Sequence, residues 1–135
     1  MPRILKNIDK IALEKQRDVL YIMFHKAYIN SYDDYFTFDY EHFEQRNLLM
    51  TWLNQQNINF YDCFGFPSNN GIISRPYLGE IYLDVPFDET DSQYKILYEH
   101  LENTDGSMKI QDVVWYYYPL SKAIENKVKY AVSDI

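Results

Sequence analysis

The chain has 135 residues, 47% apolar and 24% charged, so it is long enough to bury a core of its own and too apolar for a disordered tail. Its formal net charge of −7 disfavours DNA, RNA or an acidic membrane as a partner, and one cysteine excludes a disulfide-stapled scaffold. Aromatic residues make up 18%, chiefly 14 tyrosines, which combine large contact area with few rotors and a hydroxyl that tolerates water.

The opening run MPRILKNIDKIALEKQ has charges every few residues and lacks the apolar core of a signal peptide, so a cytoplasmic location is expected. Within it Ile8, Ile11 and Ala12 stand at helical spacing and predict a short amphipathic helix over 7–16. Residues 19–28, rich in β-branched and aromatic side chains, predict a first strand. A helix follows over 41–56, with Phe43, Leu49, Met50 and Leu53 on one face and Asp39 as its expected N-cap.

A second strand is expected over 58–66, then a turn-rich connection over 67–79 containing Asn-Gly and two prolines. The alternation in GEIYLDVPF puts Ile81, Leu83 and Val85 on one face of a third strand and Tyr82 and Asp84 on the other. A helix over 88–103 is expected to open on a Thr90–Gln93 capping box and to bury Tyr94, Leu97, Tyr98 and Leu101. A fourth strand over 108–120 precedes a closing helix whose apolar stripe is Ile124, Val128, Ala131 and Val132. The longest apolar runs, VLYIMF and VVWYYYPL, are far too short to span a membrane.

This order predicts a single α+β domain over 1–135. Its class is ferredoxin-like βαββαβ: an antiparallel four-stranded sheet with two helices on one face, plus a short N-terminal helix and a C-terminal helix. The first and third strands are expected to run parallel at its centre, with their carboxyl ends at one edge.

Charge is distributed unevenly along the chain. Residues 27–94 hold two basic residues, Arg46 and Arg75, against eleven carboxylates, while residues 1–26 are net basic. The stretch YINSYDDYFTFDYEHFEQ (28–45) holds five carboxylates and seven rings with no lysine or arginine. On the expected topology it meets the loop PFDETD, so Tyr32, Asp33, Asp34, Tyr35, Asp39, Tyr40 and Glu41 would form one acidic edge with Asp88, Glu89 and Asp91. Such an edge repels itself and attracts a basic protein, with tyrosines supplying contact area.

Other chemistries find less support. His25, His42 and His100 show no His-x-x-x-His spacing and there is no Cys-x-x-Cys pair, so neither a metal nor a cofactor is expected. Cys63, between Asp62 and Phe64, stands where its pKa is raised, and reads as a small buried hydrophobe. The sheet face carrying Tyr21, Met23, His25 and Tyr82 lacks an RNA-recognition signature. It is expected to be covered by the N-terminal helix or by a second copy of the chain.

Small size, acidity and abundant tyrosine make the chain similar in kind to inhibitor proteins of bacterial toxins and to phage-encoded inhibitors of nucleic-acid machinery, a resemblance of surface chemistry. It implies a non-catalytic inhibitor of a basic protein, foremost an immunity protein blocking a nuclease-type toxin. Two alternatives stand beside it. One is a dimeric ferredoxin-like enzyme or small-molecule binder with a pocket over the aromatic sheet face near His25 and Tyr82. The other is a phage inhibitor that mimics nucleic acid.

Overall fold

The computed structural model of the chain describes residues 8–24, 39–63 and 77–129. Among them run α1 (Ile8–Lys15), β1 (Val19–Met23), a 3-10 turn (Tyr40–His42), α2 (Glu44–Gln55), β2 (Phe60–Asp62), β3 (Ile81–Leu83), α3 (Ser92–Leu101), β4 (Val114–Tyr118) and α4 (Leu120–Lys129). The fold is α+β, with one four-stranded antiparallel sheet in the order β2-β3-β1-β4. No helix among the described residues is long and apolar enough to cross a membrane.

The expected parallel pairing at the sheet centre is not what forms. Leu20, Tyr21 and Ile22 of β1 face Leu83, Tyr82 and Ile81 of β3, so the two strands run antiparallel. The reason is connectivity. The chain reverses between β2 and β3, and β3 inserts between β2 and β1 and opposes both. The carboxyl ends of β1 and β3 therefore lie at opposite edges of the sheet.

Strict alternation gives each strand two faces, and both are covered. On one face Leu20, Ile22, Ile81, Leu83 and Val85 pack with Leu49 and Leu53 of α2 and Leu97 and Leu101 of α3. On the other, Val19, Tyr21, Tyr82 and Tyr118 pack with Ile8, Ile11 and Ala12 of α1 and Ala123 of α4. The aromatic face is thus closed by the chain's own first and last helices, and Tyr82 is only 2% exposed.

Across that second face the register aligns one tyrosine per strand. Tyr61 of β2 faces Tyr82 of β3, Tyr82 faces Tyr21 of β1, and Tyr21 faces Tyr116 of β4. Tyr21 and Tyr116 stack at 5.4 Å, and Tyr61 and Tyr82 at 6.3 Å. The inner pair is buried and the outer pair exposed. Burial foremost pushes the Tyr82 phenol up to about 12; the Arg17 guanidinium works against this, while the bond that the Tyr82 hydroxyl donates to Asp84 and the charge of that carboxylate add to it.

Several local expectations shift. Asp39 precedes the 3-10 turn without a side-chain cap bond, and α2 begins at Glu44 with Phe43 as N-cap. At α3 the cap is Asp91, which accepts from the Tyr94 N–H at 3.0 Å, while Thr90 donates its hydroxyl to Asp88. An acidic side chain at the N-cap outcompetes the threonine one residue earlier. In α3, Leu97 and Leu101 are buried but Tyr98 is exposed. Strand β4 is shorter than expected, because a bend at 109–110 and a turn at 111–112 precede it.

Helix α4 presents Ala123 and Asn126 to the interior, leaving Ile124 and Val128 exposed, the reverse of the expected stripe. Two polar contacts fix its roll. Asp18 accepts from the Leu120 N–H at 2.8 Å, and Asn126 donates to the Tyr118 hydroxyl at 2.8 Å. Ala123 joins the cluster around Ile8, Ile11 and Ala12, so α4 packs chiefly against α1.

Candidate binding surface

The antiparallel centre of the sheet separates the two halves of the expected acidic edge. Asp39, Tyr40 and Glu41 lead into α2 at the edge where β1 ends, and Asp88, Glu89 and Asp91 follow β3 at the opposite edge. Tyr32, Asp33, Asp34, Tyr35 and His25 lie outside the described residues.

At the first edge the fold supplies its own cation. Arg46, on the inner side of α2 and 6% exposed, donates through Nε to the Gly79 carbonyl at 2.9 Å and through Nη2 to Asp62 at 3.2 Å. Its guanidinium carbon stands 5.0 Å from the Tyr40 ring centroid and 5.9 Å from that of Phe24. Tyr40 meets Tyr77 edge-on at 4.9 Å. Gly79, at φ +90°, makes the approach possible, since a Cβ there would sit 2.7 Å from that of Tyr40. Asp39 pairs with His42 at 2.6 Å.

At the second edge two of the three expected carboxylates have local structural work. Asp88 accepts from the amide and hydroxyl of Thr90, bonds that hold its carboxyl below the ordinary range, and Asp91 caps α3. Nearby Asp84 accepts from Tyr82 and Arg17, with Lys15 at 3.5 Å. Although burial disfavours its charge, the Tyr82 hydroxyl and the two cations hold that carboxyl low. Glu89 is exposed and lines a shallow cavity of about 260 Å³ with Tyr94, Lys95, Tyr98 and Glu99.

The aromatic density beside Glu89 was not anticipated. Phe87 stacks on Tyr117 at 4.7 Å, meets Tyr94 edge-on at 5.6 Å, and Tyr94 stacks on Trp115 at 5.6 Å. The Trp115 indole N–H donates to Glu102. Burial first, then the charges of Glu102 and Glu89, raises the Tyr94 phenol, so two carboxylates act on one ring. A second cavity of about 210 Å³ opens here, lined by Leu20, Phe87, Tyr94, Glu102 and the β4 residues 115–117. Period-two alternation in VVWYYY would have placed Trp115 and Tyr117 together on one face of an edge strand, the face beneath α2 and α3, where neighbours cover them only in part.

Residues considered for chemistry are otherwise engaged. Cys63 is buried, and burial first, then Glu80 and Asp62, pushes its thiol well up, away from the reactive thiolate. His100 stacks on Trp52 at 3.7 Å, and burial lowers its pKa. Among the described residues no cluster of three or more His, Cys, Asp or Glu is placed to hold a metal ion.

Comparison with protein-family models, with curated proteins and with solved structures finds no match for this chain.

Proposed function

We propose that the protein is a non-catalytic acidic inhibitor that acts in the cytoplasm by binding and neutralising a basic protein, with a nuclease-type toxin as the target class. A nuclease must hold phosphates and so presents a basic, water-accessible site, which an acidic surface complements in charge and approaches under electrostatic steering. The observation that carries this reading is the corner between α3 and β4. There Phe87, Tyr94, Trp115 and Tyr117 stand with Glu89 and Glu102, a combination of ring area and negative charge suited to a protein interface. We also infer a fold of the ferredoxin-like kind. It is supported by the βαββαβ order, the strand order β2-β3-β1-β4 and the shared face of α2 and α3.

The alternative of a pocket or homodimer over the aromatic sheet face finds less support, because α1 and α4 already occupy its centre. The test is inhibition of basic nuclease-toxin domains from the source genome by the purified protein. Stoichiometric inhibition of one of them, with association slowing as salt rises, is expected. Failure against every domain, or inhibition indifferent to salt, would refute the reading.

A further inference from the structure

The cavity beside β4 differs from other acidic places in the fold in what lines it. Asp62 has Arg46, and Asp84 has Arg17 and Lys15. No described residue lining the β4 cavity is basic, although Glu102 lies in its wall and Glu89 lines the neighbouring cavity together with Tyr94. Four rings form a continuous series from Tyr117 through Phe87 and Tyr94 to Trp115, with Phe87 44% and Tyr117 51% exposed. Exposed aromatic faces attract cations through their quadrupoles, more so where a carboxylate adds its field.

We propose that this cavity receives the guanidinium group of an arginine side chain carried by the basic partner. The proposal rests on the inhibitor reading and names the group the partner inserts. Size favours a side-chain head: at about 210 Å³ the cavity falls below the roughly 300–1,000 Å³ typical of sites that enclose whole ligands. Shape favours guanidinium over ammonium, because a planar ion stacks on ring faces while its edge meets a carboxylate. The indole N–H of Trp115 anchors the Glu102 side chain toward the cavity wall, and carboxylate lone pairs beyond that one bond can accept from the ligand. The molecule already contains a working example of this chemistry, with Arg46 set against the rings of Tyr40 and Phe24 and bonded to Asp62.

The test uses N-acetyl-arginine amide, its neutral citrulline counterpart and N-acetyl-lysine amide as probes of the full chain. The indole N–H signal of Trp115 is followed by NMR and assigned with Trp115→Phe. The arginine probe is expected to shift that signal saturably, the lysine probe to bind several-fold more weakly, and the citrulline probe to leave it unmoved. Glu102→Gln keeps an acceptor for the Trp115 indole and removes the charge, so it should weaken arginine binding about tenfold at unchanged melting temperature. Tyr117→Ala should weaken it roughly two- to fivefold. An arginine probe that leaves Trp115 unmoved overturns the proposal, as does equal binding of citrulline or lysine, or full affinity in Glu102→Gln. If toxin inhibition survives such a result, the inhibitor reading stands without its arginine anchor. Arginine binding without inhibition of any basic nuclease would leave the cavity and remove the inhibitor reading.

Discussion

Around Tyr40 and Asp62, rings and a carboxylate close over Arg46 from the same chain, whereas around Tyr94 and Glu102 rings and a carboxylate border an open cavity. The residue chemistry of the two places is nearly the same. What differs is whether the fold brings a guanidinium to it. The first place is a structural clasp joining α2 to the start of β3, and the second has the same ingredients in an accessible form.

Four tests press on that difference, two of them with a control substitution, and the largest effect belongs to the clasp. Gly79→Ala forces a side chain onto a positive-φ residue with Tyr40 at 2.7 Å, and should cost about 3 kcal/mol or more in urea unfolding. Gly106, also at positive φ but with open space around it, provides the control, and Gly106→Ala should cost only about 1–2 kcal/mol. Equal losses at the two glycines would mean that the close packing around Arg46 contributes nothing.

Arg46→Met retains much of the side-chain length but removes the bonds to Gly79 and Asp62 and the charge over two rings. Destabilisation of about 2–4 kcal/mol is expected from the same unfolding measurement.

Asp84 reports through pH. Its folded pKa lies below the unfolded value of about 3.9, so its contribution to stability is present above that value and is lost as pH falls through the folded one. Asp84→Asn should therefore be less stable than wild type at neutral pH, and the difference should shrink as the solution is acidified below about pH 4. A difference that stays constant down to pH 2 would show that the Lys15 and Arg17 pairing does not matter.

Glu89→Lys should have the smallest effect on the fold, within about 0.5 kcal/mol, because the side chain is exposed. It should nevertheless slow association with the basic target measurably and flatten the salt dependence, while Glu41→Lys at the clasp end changes the rate less. The opposite ranking in stopped-flow measurements would move the binding surface to the other edge.

How much of this was legible depended on whether the governing contact is local. Alternation in IYLDV placed Ile81, Leu83 and Val85 on one face correctly, and the spacing of Ile8, Ile11 and Ala12 marked the buried side of α1. Strand direction at the sheet centre follows from the reversal between β2 and β3, which the turn-rich residues 67–79 signal; the expectation of a parallel centre failed because a third strand inserted in an antiparallel sheet must oppose both neighbours. The roll of α4 is set by Asp18 and Tyr118, distant partners that an apolar count ignores. Arg46 sat in the stripe with Phe43, Met50 and Leu53, a spacing that carried a signal for a buried cation. The excess of carboxylates is a matter of composition, but the rings that give the β4 corner its shape come from segments that only tertiary packing unites.

The row of tyrosines across the sheet also sets an alkaline limit on the molecule. Burial foremost raises the phenols of Tyr21 and Tyr82 above their ordinary value near 10, so the folded state holds those protons where an unfolded chain gives them up. Their share of stability is complete below pH 10 and drains away as pH climbs through the folded values. Forming a tyrosinate at the centre of the row would require α1 and α4 to lift from the sheet and admit water. In strong base the terminal helices, rather than the leucine-lined face beneath α2 and α3, are where the protein should begin to open.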